Sequence, residues 1–247
     1  IGRLTNLISI YIHTNSITDI SPLKTLTSLQ NLFISRNKIT DIQALSSLHN
    51  LIYVDIGYNK IEDISPLENL AILFSLDIRN NPVKDLSPLA NLMELKQLTL
   101  YGIGKVADYN CIRELYGRLT FKDFDIDKAQ AVANKVREAV SQSIRPGMTD
   151  YQKALAIHDY IVSHTSYHQE SVVNYNSFIE PGKPYGVLIN GWGICEGYSE
   201  TFKLFMDYLG IECFIVTGQA NPSGAFMNHA WNIIKIGDKY RHVDVTW

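Results

Sequence analysis

An asparagine recurs every 22 residues in the first part of this chain, at Asn15, Asn37, Asn59 and Asn81. Registering the sequence on that period aligns Leu4, Leu26, Leu48, Leu70 and Leu92, then Leu7, Leu29, Leu51, Leu73 and Leu95. The pairs Ile10/Ile12, Leu32/Ile34, Val54/Ile56, Leu76/Ile78 and Leu98/Leu100 follow in the same register. Apolar positions repeated at so short a period cannot each close a separate core. They are buried only when one coil stacks on the next. The period therefore predicts a solenoid with one short strand per coil and an asparagine ladder inside the turns. The fifth copy has Ile103 where asparagine is due, so the array is expected to end near there.

The pattern L-x-x-L-x-L-x-x-N is that of a leucine-rich repeat. On the return side, ITDISPLKTL, IEDISPLENL and VKDLSPLANL share a D-I/L-S-P-L stretch. In this, residues 1–103 resemble the repeats of the internalin family of bacterial surface proteins. The resemblance implies a secreted or cell-surface protein, of a Gram-positive bacterium, whose curved face binds a partner. Strand alternation turns the intervening side chains to the concave face. Candidate partner-binding residues there are Tyr11, Phe33, Tyr53, Asp55, Asp77, Arg79 and Tyr101. Outward aromatics of this kind suit a macromolecular ligand.

Past residue 103 the repeat is lost, which sets expected domains at 1–103 and 104–247. DIDKAQAVANKVREAVSQSI reads as an amphipathic helix, with Ala131, Val132, Val136 and Val140 near helical spacing. RPGM stops it, and Thr149 or Asp150 can cap a second helix carrying Leu155, Ile157 and Ile161. A loop rich in Asn, Ser, Pro and Gly follows from Gln169 to Pro184. Two β-type runs, ECFIVTGQA and HAWNIIKIGDKYRHVDVTW, close the chain, giving an α+β second half. The absence of an initiator Met and the final HVDVTW, which reads as an unfinished strand, point to a fragment of a longer protein. Net charge is −3, which calls for neither nucleic acid nor an anionic membrane, and no apolar run could span a bilayer.

Three cysteines, Cys111, Cys195 and Cys213, leave at least one thiol unpaired within the chain. Cys195 lies in GWGICEGYSETF, where a loop turns into a helix whose buried face is Tyr198, Phe202, Phe205 and Leu209, stopped at Gly210. Amide N–H groups and the dipole at a helix start stabilise a thiolate. Cys213, in the strand-like ECFIV, and Cys111 are expected to be inert. A thiolate nucleophile needs a base, and the base needs an orienting group. If Gly237 and Asp238 form a two-residue hairpin turn, Ile236 pairs with Lys239. His229 then faces Thr246 and lies diagonal to Asp244 on the same sheet face, with His242 as the rival imidazole. His158, His164 and His168 read as surface or packing residues. No C-x-x-C pairing suggests a metal, and no cofactor is implied.

The elements G-x-C-x-G-Y, H-A-W-N and D-x-T-W, with GMTDYQKALAIHDYIVSHTSY upstream, resemble the transglutaminase-like superfamily over roughly residues 125–247. That resemblance implies a papain-like α+β fold and a triad with Cys195 as nucleophile, His229 as base and Asp244 as orienter. Oxyanion donors would be the Cys195 backbone N–H and one upstream side chain, Tyr185, Asn190 or Trp192. The implied chemistry is thiol acyl transfer on amide bonds of proteins or peptides, ending in crosslinking, deamidation or proteolysis. The alternative is a surface binding or adhesion protein whose second domain is a structural module.

Overall fold

Asn37, Asn59 and Asn81 each tie two adjacent coils of backbone together. Asn59 donates from Nδ2 to the carbonyls of Ile34 (3.2 Å) and Ile56 (3.0 Å), and its Oδ1 accepts the Ile39 N–H at 3.1 Å. Asn37 and Asn81 repeat the arrangement, with Oδ1 accepting from Ile17 and Ile61. The residue before each asparagine is left-handed: Thr14, Arg36, Tyr58 and Asn80 have φ between 51° and 58°. A side chain in that conformation costs ~1–2 kcal/mol, and the ladder bonds on either side hold it there. Gly102 keeps the conformation in the fifth coil, with φ +72°.

The computed structural model describes residues 2–100, 102–103, 108–168, 182–220 and 226–246. It divides into two compact units, Ile1–Gln130 and Ala131–Trp247. In the first, β1 (Ser9–Tyr11), β2 (Asn31–Phe33), β3 (Tyr53–Asp55), β4 (Ser75–Asp77) and β5 (Gln97–Thr99) form a parallel sheet. Its register steps by one repeat, Ser9 facing Asn31 and Asn31 facing Tyr53. The central residues Ile10, Leu32, Val54, Leu76 and Leu98 are buried, as are Leu26, Leu48, Leu70 and Leu92. Leu4, in the first coil, is 57% exposed. On the return side Asp19, Asp41, Asp63 and Asp85 each accept a backbone N–H two residues on, at 2.7–2.8 Å. That bond opens the 3₁₀ turns at Ser21–Thr25, Gln43–Ser47, Ser65–Leu67 and Ser87–Leu89.

The array runs further than the asparagine period. After α1 (Arg113–Arg118), β6 (Phe121–Lys122) adds a sixth strand beside β5. Asp123 accepts the Leu100 N–H at 2.8 Å, and Ile112, Leu115 and Leu119 extend the repeat core. The expected boundary after residue 103 therefore differs from the observed division after Gln130. A final coil without the ladder asparagine still buries its apolar residues on the coil before it.

The second unit is built on α2 (Ile126–Ser143, which starts in the first unit), α3 (Asp150–His164) and α4 (Cys195–Leu209). Thr149 and Gln152 form a reciprocal capping box at the start of α3. Ala154, Ile157 and Ile161 are buried there, whereas Leu155 is exposed. Gly210, at φ +77°, ends α4. Phe202, Phe205 and Met206 of α4 pack into a core with Val136, Ala139 and Ile234. The helix lies on an antiparallel sheet of β9 (Cys213–Ala220), β10 (Met227–Ile236) and β11 (Lys239–Val243), in the order β11-β10-β9. A separate parallel pair joins β7 (Ser166–Tyr167) to β8 (Trp192–Gly193). Among the described residues no helix is long and apolar enough to cross a membrane.

Candidate active site

The hairpin of β10 and β11 sets the site. Gly237 has φ +58°, and Ile236 pairs with Lys239 across the two-residue turn. The ladder runs on to Asn232 opposite Val243, and Asp244 follows directly after β11. His229 and Asp244 meet with the imidazole Nε2 2.6 Å from Oδ2. The other carboxylate oxygen accepts the Thr246 N–H at 3.0 Å, which fixes the plane of the group. His229 is buried and its ring stacks beside that of Trp231, centroids 6.0 Å apart. The Trp231 indole donates to Nδ1 of His242 at 2.8 Å. The rival imidazole is thus held away from Asp244. Gly218, opposite His229 on β9, makes room for this layer, since a Cβ there would lie 2.8 Å from the Trp231 ring.

Cys195 is the first residue of α4, after an extended Ile194 at φ −109° and ψ 173°. Its backbone N–H therefore belongs to the first turn, where amides have no partner within the helix. The thiol is part-buried. The other two are poorly suited to react. Burial pushes the Cys213 thiol up to about 12. Burial, then the charges of Asp85 and Asp108, also raises that of Cys111.

Asn232 links α4, the helix that starts at Cys195, to the strand that carries His229. It is fully buried, and its Nδ2 donates to the Ser199 carbonyl of α4 at 3.0 Å and to the Phe214 carbonyl of β9 at 3.4 Å. Its Oδ1 is buried without a hydrogen-bond partner.

The oxyanion candidates lie in the segment that leads into α4. Tyr185 precedes a π-type turn at Gly186–Asn190, Asn190 is exposed at its end, and the Trp192 ring lies on His168 with centroids 4.5 Å apart. A residue absent from the sequence reading neighbours the thiol: Tyr167 lies opposite Gly193 in the β7–β8 pair, its ring 6.1 Å from that of Tyr198 on the first turn of α4. Burial, then the Cys195 charge, raises its pKa, and Asp244 adds to the effect.

In the first unit, Tyr11 and Phe33 stack face to face at 4.7 Å and 6°. Tyr11 is 64% exposed, and Tyr53 is exposed with its ring edge-on to Phe74. Asp77 is paired with Arg79, Nε to Oδ2 at 2.7 Å, and Asp55 accepts the Gly57 N–H at 3.1 Å. These two carboxylates and the guanidinium are tied into local bonds, whereas the aromatic faces are open. Tyr101 lies outside the described residues.

Residues 137–245 match the family model of the transglutaminase-like superfamily, and residues 27–69 match that of leucine-rich repeats. The kyphoscoliosis peptidases of Mus musculus and Homo sapiens are 26% and 27% identical to this chain over 137 residues. That alignment takes in 51% of this chain and 20% of each relative, so the chain spans about a fifth of their length. A crystal structure of an internalin from Listeria monocytogenes is 36% identical with a TM-score of 0.48, covering 50% of this chain and 36% of that one. By its family matches, the chain carries leucine-rich repeats followed by a domain of the transglutaminase-like superfamily.

Proposed function

We propose that the second unit is a thiol acyl-transfer enzyme acting on amide bonds of proteins or peptides, with Cys195 as nucleophile, His229 as base and Asp244 as orienter. The contact of 2.6 Å between His229 and Asp244, in the unit that also starts a helix at Cys195, carries this reading. With Nε2 on the carboxylate, proton exchange with the thiol falls to Nδ1. The thiolate attacks the carbonyl carbon and forms a C–S bond. The C–N bond then breaks, and the leaving amine takes its proton from the imidazolium. Attack by water on the thioester completes deamidation or cleavage, and attack by a primary amine completes a crosslink. A mass-spectrometric screen of peptides and cell-wall fragments tests the proposal by looking for ammonia loss, cleavage or amine incorporation. Products that form equally with a Cys195→Ala protein would sink it.

The repeat unit is read as the recognition surface for a protein or cell-wall partner, centred on the stacked Tyr11 and Phe33 and the exposed Tyr53. The D-I/L-S-P-L coils support a secreted or cell-surface setting. Replacing Phe33 and Tyr53 with alanine should weaken capture of a partner while turnover of a small amide persists. A protein that captures its partner but turns over nothing would instead support an adhesion role.

A further inference from the structure

A hydrogen bond at one nitrogen fixes a single point of an imidazole and leaves its plane free to turn. For His229 that point is Nε2, held by Oδ2 of Asp244 at 2.6 Å with the Thr246 hydroxyl 3.4 Å away. The plane is met on its other side by Trp231. The two rings lie side by side, 17° from parallel, on residues that share one face of β10. Trp231 pairs with Val216 of β9, but its indole leans along the sheet and covers Gly218, the cross-strand partner of His229. A Cβ on Gly218 would lie 2.8 Å from Cη2 and 3.2 Å from Cζ3 of the indole, and among the described residues it would meet nothing else within 4 Å. The indole therefore fills the space in which a side chain at 218 would stand against His229. Its N–H is tied to Nδ1 of His242 at 2.8 Å. His229 is thus set between Asp244, which follows β11, and an indole lying over β9.

We propose that Trp231 is a positioning residue: its indole, seated over Gly218, is the wall that keeps the His229 ring turned with Nε2 to Asp244 and Nδ1 to the thiol. The seat over Gly218 carries the wall. The bond to His242, made to an exposed side chain, adds little to it. A small side chain at 231 removes the wall, and a side chain at 218 displaces it. Either change frees the imidazole to turn Nδ1 away from the thiol proton. The indole acts through His229 and needs no contact with the substrate.

This inference rests on the acyl-transfer reading, and the test separates the two. The whole chain is labelled with iodoacetamide at pH 6 and at pH 9, and peptide mapping gives the rate at Cys195. At pH 9 a free thiol, pKa ~8.5, is largely ionised without help. At pH 6 almost none is, and the rate depends on passing the thiol proton to His229. Trp231→Ala should lower the pH 6 rate about 3- to 10-fold, the worth of one aromatic pair, and leave the pH 9 rate near parental. Trp231→Phe keeps a flat ring and should fall less. Gly218→Ala should also lower the pH 6 rate, yet change nothing in the Trp231→Ala background, because it acts only through the indole. Imidazoles titrate over this range, so the Trp231→Ala comparison is repeated with His242→Ala, where the same loss is expected. A parental pH 6 rate in Trp231→Ala overturns the assignment. So does an equal fall at both pH values, which would mark a change at the thiol or in the fold. A Gly218→Ala loss that persists without the indole, or a Trp231→Ala loss that vanishes without His242, overturns it too. If Trp231→Ala loses its native circular dichroism, Gly218→Ala decides, and a parental ratio of the two rates removes the wall. Failure of the underlying reading looks different: His229→Ala would then keep the parental pH 6 rate.

Discussion

The indole N–H of Trp231 donates to Nδ1 of His242 at 2.8 Å, and this bond separates the two imidazoles of the hairpin. An imidazole nitrogen that accepts an indole proton is engaged as an acceptor already. His242→Ala should therefore leave acyl transfer close to parental, whereas His229→Ala should reduce it on the order of 10⁴-fold or more, as loss of the base does in comparable triads. Steady-state rates on a peptide amide found by the substrate screen check this. The reverse order would show that the base is misassigned.

Asp244→Asn should retain the fold and lose up to ~10⁴-fold in turnover, because an amide cannot stabilise the imidazolium and favours the wrong tautomer. Thr246 N–H bonds an oxygen that asparagine can also supply, so the local backbone should persist. Circular dichroism and turnover on the same sample separate the two effects. Parental turnover would remove Asp244 from the mechanism.

The three thiols should react in a fixed order. An unperturbed cysteine, pKa ~8.5, is a few per cent thiolate at neutral pH. A raised pKa lowers that fraction further, which disfavours Cys111 and more strongly Cys213. Limited iodoacetamide at pH 7 should label Cys195 first. As pH rises, Cys111 should follow, and Cys213, at about 12, should stay unlabelled until the protein unfolds. Peptide mapping reads the order directly, and early labelling of Cys213 would contradict it.

Asn59→Ala should destabilise the repeat unit by about 1–3 kcal/mol, since it strands the buried Ile39 N–H and leaves the Ile34 and Ile56 carbonyls to the amides of Asn37 and Asn81 alone. Asn15 bonds only the exposed Ile12 and His13 carbonyls, so its replacement should cost about 1 kcal/mol or less. Hydrogen exchange of the repeat amides in both variants distinguishes a ladder from isolated turn bonds.

Features fixed by counting were legible in the sequence. The stacked leucines follow from the period, and the meeting of His229 with Asp244 follows from the parity of a two-residue turn. Features set by pairing at a distance were not. Tyr167 joins a strand two residues long whose partner, Trp192–Gly193, is far along the chain, and no local pattern marks it. The sixth coil escaped for a related reason: Ile103 stands in place of the ladder asparagine, and Asp123 takes over a backbone bond from outside the period. On α3 the eye goes to Leu155, yet Leu155 is exposed and the smaller Ala154 completes the buried face of Ile157 and Ile161.

Asn232 has a wider consequence. Its amide spans from the strand that carries His229 to the helix that starts at Cys195, so the separation of the two is gauged at a point away from either side chain. Aspartate there would bury a charge, and leucine would remove the bond that joins the strand to the Ser199 carbonyl. A descendant of this protein could therefore lose that spacing while Cys195, His229 and Asp244 all stayed in place.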